Sequence, residues 1–183
     1  VDTFADPQQP EGHPPRQRTS GLDPALLAVE RDQAGPSAGR GGLGESNLLR
    51  GRNPNYAHCS NYRRGAFAHY ILDGSASRGW QLPDSEKRGW VDASLGLPVV
   101  VDKIVVREIG NSIRAYELEV YDGSEWRPIA AGTTLGTKVC CFKPMSVSAV
   151  RIVIVTTGGG GIAEIEVYDT TGTVNAFPNG PSR

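Results

Sequence analysis

The chain has 183 residues, room for one well-cored domain with extensions. Its 19 basic and 20 acidic residues nearly cancel, and no run of Lys and Arg is dense enough to follow a phosphate backbone, which argues against a nucleic-acid partner. No apolar run approaches the roughly 20 residues that span a bilayer, and the first residues lack the basic-then-apolar order of a signal peptide.

Residues 1–45 are rich in Pro, Gly, Gln, Arg and Ser and read as a linker or extension. One short helix is predicted there over "LDPALLAVERDQ" (22–33), with Asp23 as N-cap, Pro24 at the first helical position and Gly35-Pro36 as the stop. "GRGGLG" (39–44) matches the dinucleotide fingerprint only in letters, because no strand precedes it and no helix follows.

From Pro98 the pattern becomes alternating strands broken by turns: "PVVVDKIVVREI", "AYELEVYDG", "EWRPIAAG", "KVCCFKP", "VSAVRIVIVTT" and "IAEIEVYD". Asp122-Gly123 marks a hairpin. In "AYELEVY", Tyr116, Leu118 and Val120 share one face and Glu117, Glu119 and Tyr121 the other, so one side is expected dry and one wet. Short, evenly spaced strands with Gly-centred turns predict an all-β, antiparallel jelly-roll sandwich. Trp90 and Trp126 fall within strand patterns and are expected in the core. Cys59, Cys140 and Cys141 fit neither an even disulfide framework nor zinc spacing; one bridge from Cys59 to either neighbour and three free thiols are both open.

No catalytic signature of the G-x-S-x-G, H-E-x-x-H or P-loop type occurs. Glu117 and Glu119 point the same way on one strand face, whereas a glycosidase needs carboxylates on opposing walls, so they read as a solvated face. "TTGGGG" (156–161) runs into a strand rather than a helix and is a flexible loop, not a phosphate cradle.

The ordered stretches "NLLRGRNPNYAHCSNY", "HYILDGSASRGW", "GWVDASLGLPVVVDKIVVREIGNSIRAYELEVYDGSEWRPIAAGTTLG" and "VSAVRIVIVTTGGGGIAEIEVYD" resemble a coagulation factor 5/8 type C (discoidin) domain. Within that family they look most like family 32 carbohydrate-binding modules and the C-terminal modules of bacterial alpha-L-fucosidases. The resemblance covers about residues 46–169, leaving 170–183 as a C-terminal tail. It implies a galactose-binding-like jelly roll with no catalytic apparatus, a shallow sugar site on the loops at one end, an extracellular or cell-surface location, and an attached glycoside hydrolase as partner.

Sugars require planar hydrogen-bonding groups beside an aromatic face, carried on loops. "NPNYAHCSNYRRG" offers Tyr56, His58 and Tyr62, and "REIGNSIR" offers Arg107, Asn111 and Arg114, which become the predicted glycan contacts. Against them stand plainer roles: Asn111 as a positive-φ turn residue, Arg114 as a partner of a surface glutamate. "QLPDSEKRG" (81–89) is expected to form a third wall, while the last long loop, 158–161, is glycine only where the resembled modules often carry an aromatic.

The resemblance further implies a structural calcium position at Asp73 and Glu164, with the carbonyls of Tyr70 and Ala163 and with Ser75 standing where a second acid is usual. Arg78 occupies a ligand position that a guanidinium cannot serve; it is expected to replace the ion by bonding Asp73 and Glu164, with calcium as the alternative. The functional expectation is a non-catalytic carbohydrate-binding module. A structural accessory domain of a glycoside hydrolase, or an adhesion module that binds no sugar, is the rival.

Overall fold

The computed structural model describes residues 29–31 and 46–172. Eight antiparallel strands form the domain: β1 (Val29–Arg31), β2 (Ala57–Cys59), β3 (Trp80–Gln81), β4 (Arg88–Ile109), β5 (Ile113–Tyr121), β6 (Trp126–Gly132), β7 (Thr137–Thr156) and β8 (Gly161–Tyr168). The all-β antiparallel expectation holds. Two short 3-10 turns, Pro54–Tyr56 and Ala68–Leu72, are the only helical elements among the described residues.

Two strands much longer than the rest give the domain its layers. Pairing of β4 with β7 runs from Arg88↔Val155 to Arg107↔Thr137, so the two travel together through the whole molecule. The register breaks between Ser94 and Val99, where Gly96 takes φ +79° and Pro98 withholds an amide. Before the break, this pair carries β2 on one side and β5 and β6 on the other; after it, β8 and β3 on one side and β1 on the other. One continuous hydrogen-bonded sheet is thereby folded into two layers.

The inner faces meet in a single core. Val91, Ala93, Leu118, Val120, Val150, Ile152 and Ile154 from one layer oppose Trp80, Ile104, Val106, Cys140, Ile165 and Val167 from the other, all fully or almost fully buried. Each large aliphatic side chain so buried contributes about 1.5–3 kcal/mol. The sequence reads "KVCCFKP" and "VSAVRIVIVTT" as two strands separated by Pro144; the structure joins them in β7, because Phe142–Pro144 lie in a bulge opposite Asp102, where a missing amide costs no ladder bond.

Three expectations are corrected. Val29–Arg31, inside the predicted helix, pairs as a strand with Val139–Cys141, taking the free backbone edge of β7; the rest of that helix, "GRGGLG" and residues 173–183 lie outside the described residues. Glu119 is buried rather than solvated. Trp90 and Trp126 are half-buried on the outer face of the first layer instead of in the core.

The last two corrections share a cause. Across the outer face of the first layer run His58, Asp92, Arg151 and Glu119 in cross-strand register. Arg151 donates to Asp92 from Nη2 at 2.7 Å and from Nε at 3.2 Å, with Asp92 wholly buried. The rings of Trp90 and Trp126 lie at 4.2 and 3.9 Å from the guanidinium carbon and shut it away from water. The three cysteines are free thiols: Cys140 is buried, the adjacent Cys141 exposed, and burial pushes the Cys59 thiol up to about 11.

Arg151→Ala strips a buried carboxylate of its partner and leaves both tryptophans without the cation they stack on. It is expected to destabilise the fold by about 3–5 kcal/mol, read from the midpoint of urea denaturation.

Candidate functional site

Four connections meet at one end of the sandwich: residues 60–67 after β2, the β3–β4 loop 82–87, the β4–β5 turn 110–112 and the β7–β8 loop 157–160. They are tied directly to one another. The Thr157 amide donates to the Ser112 carbonyl at 3.1 Å, and the Thr156 hydroxyl donates to the same oxygen at 3.1 Å. Lys87 Nζ donates to the carbonyls of Thr157 (2.6 Å) and Asp84 (3.3 Å), clamping the second and fourth loops. Leu82 N bonds Gly160 O and Arg63 N bonds Gln81 O, which brings the first loop alongside.

The glycine-only loop has a steric explanation. Gly158 and Gly159 both take positive φ (+149° and +64°), and a Cβ on Gly158 would stand 3.3 Å from the Asp84 backbone carbonyl oxygen. The loop therefore lies flush against the β3–β4 loop and forms a floor rather than a projecting aromatic wall.

The aromatic component comes from the first loop. Trp80, fully buried, donates from Nε1 to the Asn61 carbonyl at 2.7 Å and so fixes the backbone on which Tyr62 stands. Tyr62 and Phe67 are 41% and 39% exposed, with ring centroids 5.4 Å apart. Two adjoining exposed rings on loops pinned by the core are what a saccharide's apolar face needs. Asn111 is exposed in the neighbouring turn, beside Arg114, whose Nη1 donates to the carbonyl of Asn111 at 3.1 Å. The positive φ of that turn is carried by Gly110 (φ +80°), and no described non-glycine residue has one, so turn geometry does not require an asparagine at 111.

Of the six predicted contacts, Tyr62, Asn111 and Arg114 share this end. The other three do not. Tyr56 lies at the far end of the first layer, its ring against Gly96 at the break of β4. His58 sits within that layer's outer face and bonds Asp92 through Nδ1 at 3.2 Å. Arg107 belongs to the outer face of the second layer, where Nη2 bonds Glu166 at 3.3 Å. Adjacency in sequence is misleading here because β2 carries the chain from one end of the layer to the other. Asn61, a hydrogen-bonding member of the "NPNYAHCSNYRRG" loop, and Phe67, Asp84 and Lys87 fall outside the six predicted contacts; the signal of the last three is membership of polar or aromatic loops.

Asp73 and Glu164 lie outside these loops but next to the aromatic pair, where the turn after Leu72 covers the outer face of β8 and the Tyr70 ring meets Phe67 at 5.7 Å. Arg78 Nε bonds Asp73 Oδ2 at 2.5 Å, and its guanidinium lies 4.7 Å from the centre of the Tyr70 ring. The expected second arm is not formed: Glu164 accepts instead from the Gly74 amide at 3.0 Å, because Arg78 is turned over Tyr70. Asp73 Oδ1 accepts from the Ser75 amide (2.8 Å), and Ser75 Oγ is hydrogen-bonded to Ser77 Oγ (2.9 Å). With one carboxylate already holding a guanidinium and the hydroxyl turned to a neighbour, this donor set does not fit a calcium cage of six to eight oxygens.

Burial, with the Asp73 charge adding to it against the bond from Gly74, pushes the Glu164 carboxyl up to about 7. Since this is above its unfolded value of 4.5, the folded state holds a proton that the unfolded state has released, and stability falls as pH rises from about 4.5 to about 7. Glu164→Gln keeps the acceptor for Gly74 without the charge. Its melting temperature is expected to exceed the parent's above pH 7 and to match it below pH 4.5.

The comparisons with known proteins agree with this architecture. The family model of the F5/8 type C domain matches residues 56–167, more than half of the chain. The chain belongs to the F5/8 type C domain family.

A chitosan-binding module from a chitosanase/glucanase of Paenibacillus sp. IK-5 matches at 22% identity and TM-score 0.61, over 68% of this chain and 99% of that one. A family 32 carbohydrate-binding module from NanJ of C. perfringens, solved with galactose, matches at 23% identity and TM-score 0.56, over 62% and 92%. A fucosidase of glycoside hydrolase family 29 from Ruminococcus gnavus, solved with fucose, matches at 23% identity and TM-score 0.60. The match covers 68% of this F5/8 type C chain and only 26% of that enzyme. No curated protein matches the chain. The fold is thus that of modules solved both as separate pieces and within a larger enzyme.

Proposed function

We propose that this F5/8 type C domain is a non-catalytic carbohydrate-binding module that carries an attached glycoside hydrolase or surface protein to glycans outside the cell. The observation that carries the reading is the exposed Tyr62–Phe67 pair on the same tied loop end as Asn111 and Arg114. Rings would cover the apolar face of a sugar while amide and guanidinium groups take its hydroxyls. The site is open, so the affinity expected is millimolar to micromolar, about 4–8 kcal/mol, raised in use by tethering or multivalency. No described helix is long and apolar enough to cross a membrane.

The glycine floor at 158–160 favours a second reading, an accessory domain that packs on an enzyme and holds no sugar. A glycan array on the intact chain separates the two. Binding to at least one glycan is expected, weakened about tenfold by Tyr62→Ala and by Asn111→Ala, a loss of about 1.4 kcal/mol. His58→Ala should leave that binding in place and lower the melting temperature, since His58 faces Asp92. An array with no signal for the parent chain would give the accessory reading first place.

Arg78 is proposed to replace calcium as a metal-free lock on the 73–78 turn. The melting temperature is therefore expected to be the same with excess calcium and with chelator, and Arg78→Ala to lower it. A rise with calcium would return the metal to this position.

A further inference from the structure

We propose that the glycan taken at this end is anionic, carrying a carboxylate or a sulfate ester; the inference rests on the carbohydrate-binding reading and names the class of sugar. The chain as a whole has a net charge of −1 and no basic run in its sequence. Folding nevertheless gathers cations at the loop end. Arg63 is bonded through its amide to Gln81, and Arg64 follows it in a turn closed by the Ala66 amide on the Arg63 carbonyl. The Lys87 carbonyl accepts from Thr156, and Arg88 pairs with Val155. Arg114 follows Ile113, which pairs with Thr156. Arg63, Arg64, Lys87, Arg88 and Arg114 are all exposed.

The carboxylates at the same end are Asp84, Glu86 and Glu108, three against the five cations just named, and two of them are held in place by neutral amides. Glu86 accepts from the Asn61 side-chain amide, and Glu108 accepts from the amides of Ile113 and Gly136, at 2.9 Å each. Asp84 faces Arg63 at 3.9 Å with both side chains more than half exposed, a contact that water screens heavily. Lys87 and Arg114 donate to carbonyl oxygens, which orient them and do not cancel their charge. Away from this end acids meet local cations, Asp122 and Glu125 in the β5–β6 turn with Arg127 and Glu166 on β8 with Arg107. The surplus of exposed cations therefore stands at the end that also carries the exposed aromatic pair. Guanidinium forks match a planar carboxylate or a sulfate in two parallel charge-assisted bonds, stronger than those they make to the hydroxyls of a neutral sugar.

The test is isothermal titration of the whole chain with oligogalacturonate, a chondroitin sulfate oligosaccharide, neutral galactooligosaccharide and a single-stranded oligonucleotide. The expected result is at least about tenfold tighter binding of one or both anionic sugars than of the neutral one. That margin should vanish near 0.5 M salt, where the screening length falls to ~4 Å. The two anionic arms tell carboxylate from sulfate. In Arg63→Ala/Arg64→Ala the anionic-to-neutral ratio should fall towards one, while Arg63→Lys/Arg64→Lys should keep the salt dependence; thermal melting of each variant establishes that it is folded.

Neutral sugar bound as tightly as both anionic ones would overturn this inference and leave the carbohydrate reading standing. Failure of every sugar would overturn that reading itself. Equal or tighter binding of the oligonucleotide would overturn the inference in favour of a nucleic-acid surface.

Discussion

The length-long pairing of β4 with β7 is the constraint on which the rest of this molecule depends. Because both strands cross from one layer to the other, the break at Gly96 and Pro98 sets where the sheet folds, which residues face inward on each side, and which connections emerge together. The loop end exists because β7 finishes beside both the start of β4 and the start of β5. A shift of one residue in the β4–β7 register would set Asp92 and Arg151 on opposite faces and drive one of them into the core.

Polar groups are concentrated on the outer faces, and each layer has handled the problem differently. The first layer buries Asp92 against Arg151 and seals the pair between two tryptophans, so that nearly all hydration is exchanged for ion-pair and ring contacts. The second layer covers Glu164 with a turn but provides it only an amide donor, which leaves its proton affinity raised. The difference has a physical origin: a guanidinium reaches Asp92 across a strand pair, whereas Arg78 is drawn aside by the ring of Tyr70.

A related division holds at the loop end. Core groups set the frame, with Trp80 holding the Asn61 backbone and Thr156 holding the β4–β5 turn. Rings and cations then stand on that frame at the surface. A rigid base under exposed rings lowers the ordering cost of a weak ligand, which matters most when each contact contributes little.

The sequence by itself determined the class of fold and most of the strands, because alternation, β-branched runs and glycine turns are local properties that survive without context. It also held the ordered motifs of the F5/8 type C family. It could not assign the two sides of each strand their neighbours. Glu119 reads as wet until it proves to be buried, in register with Arg151, and Trp90 reads as core until its face proves to be the outer one. In the same way Tyr56, His58 and Tyr62 look like one loop in the sequence, yet a single short strand separates them onto one end, one face and the opposite end. Only the tertiary structure decided which aromatic, amide and cationic groups share a surface, since that depends on pairings between strands far apart in the chain.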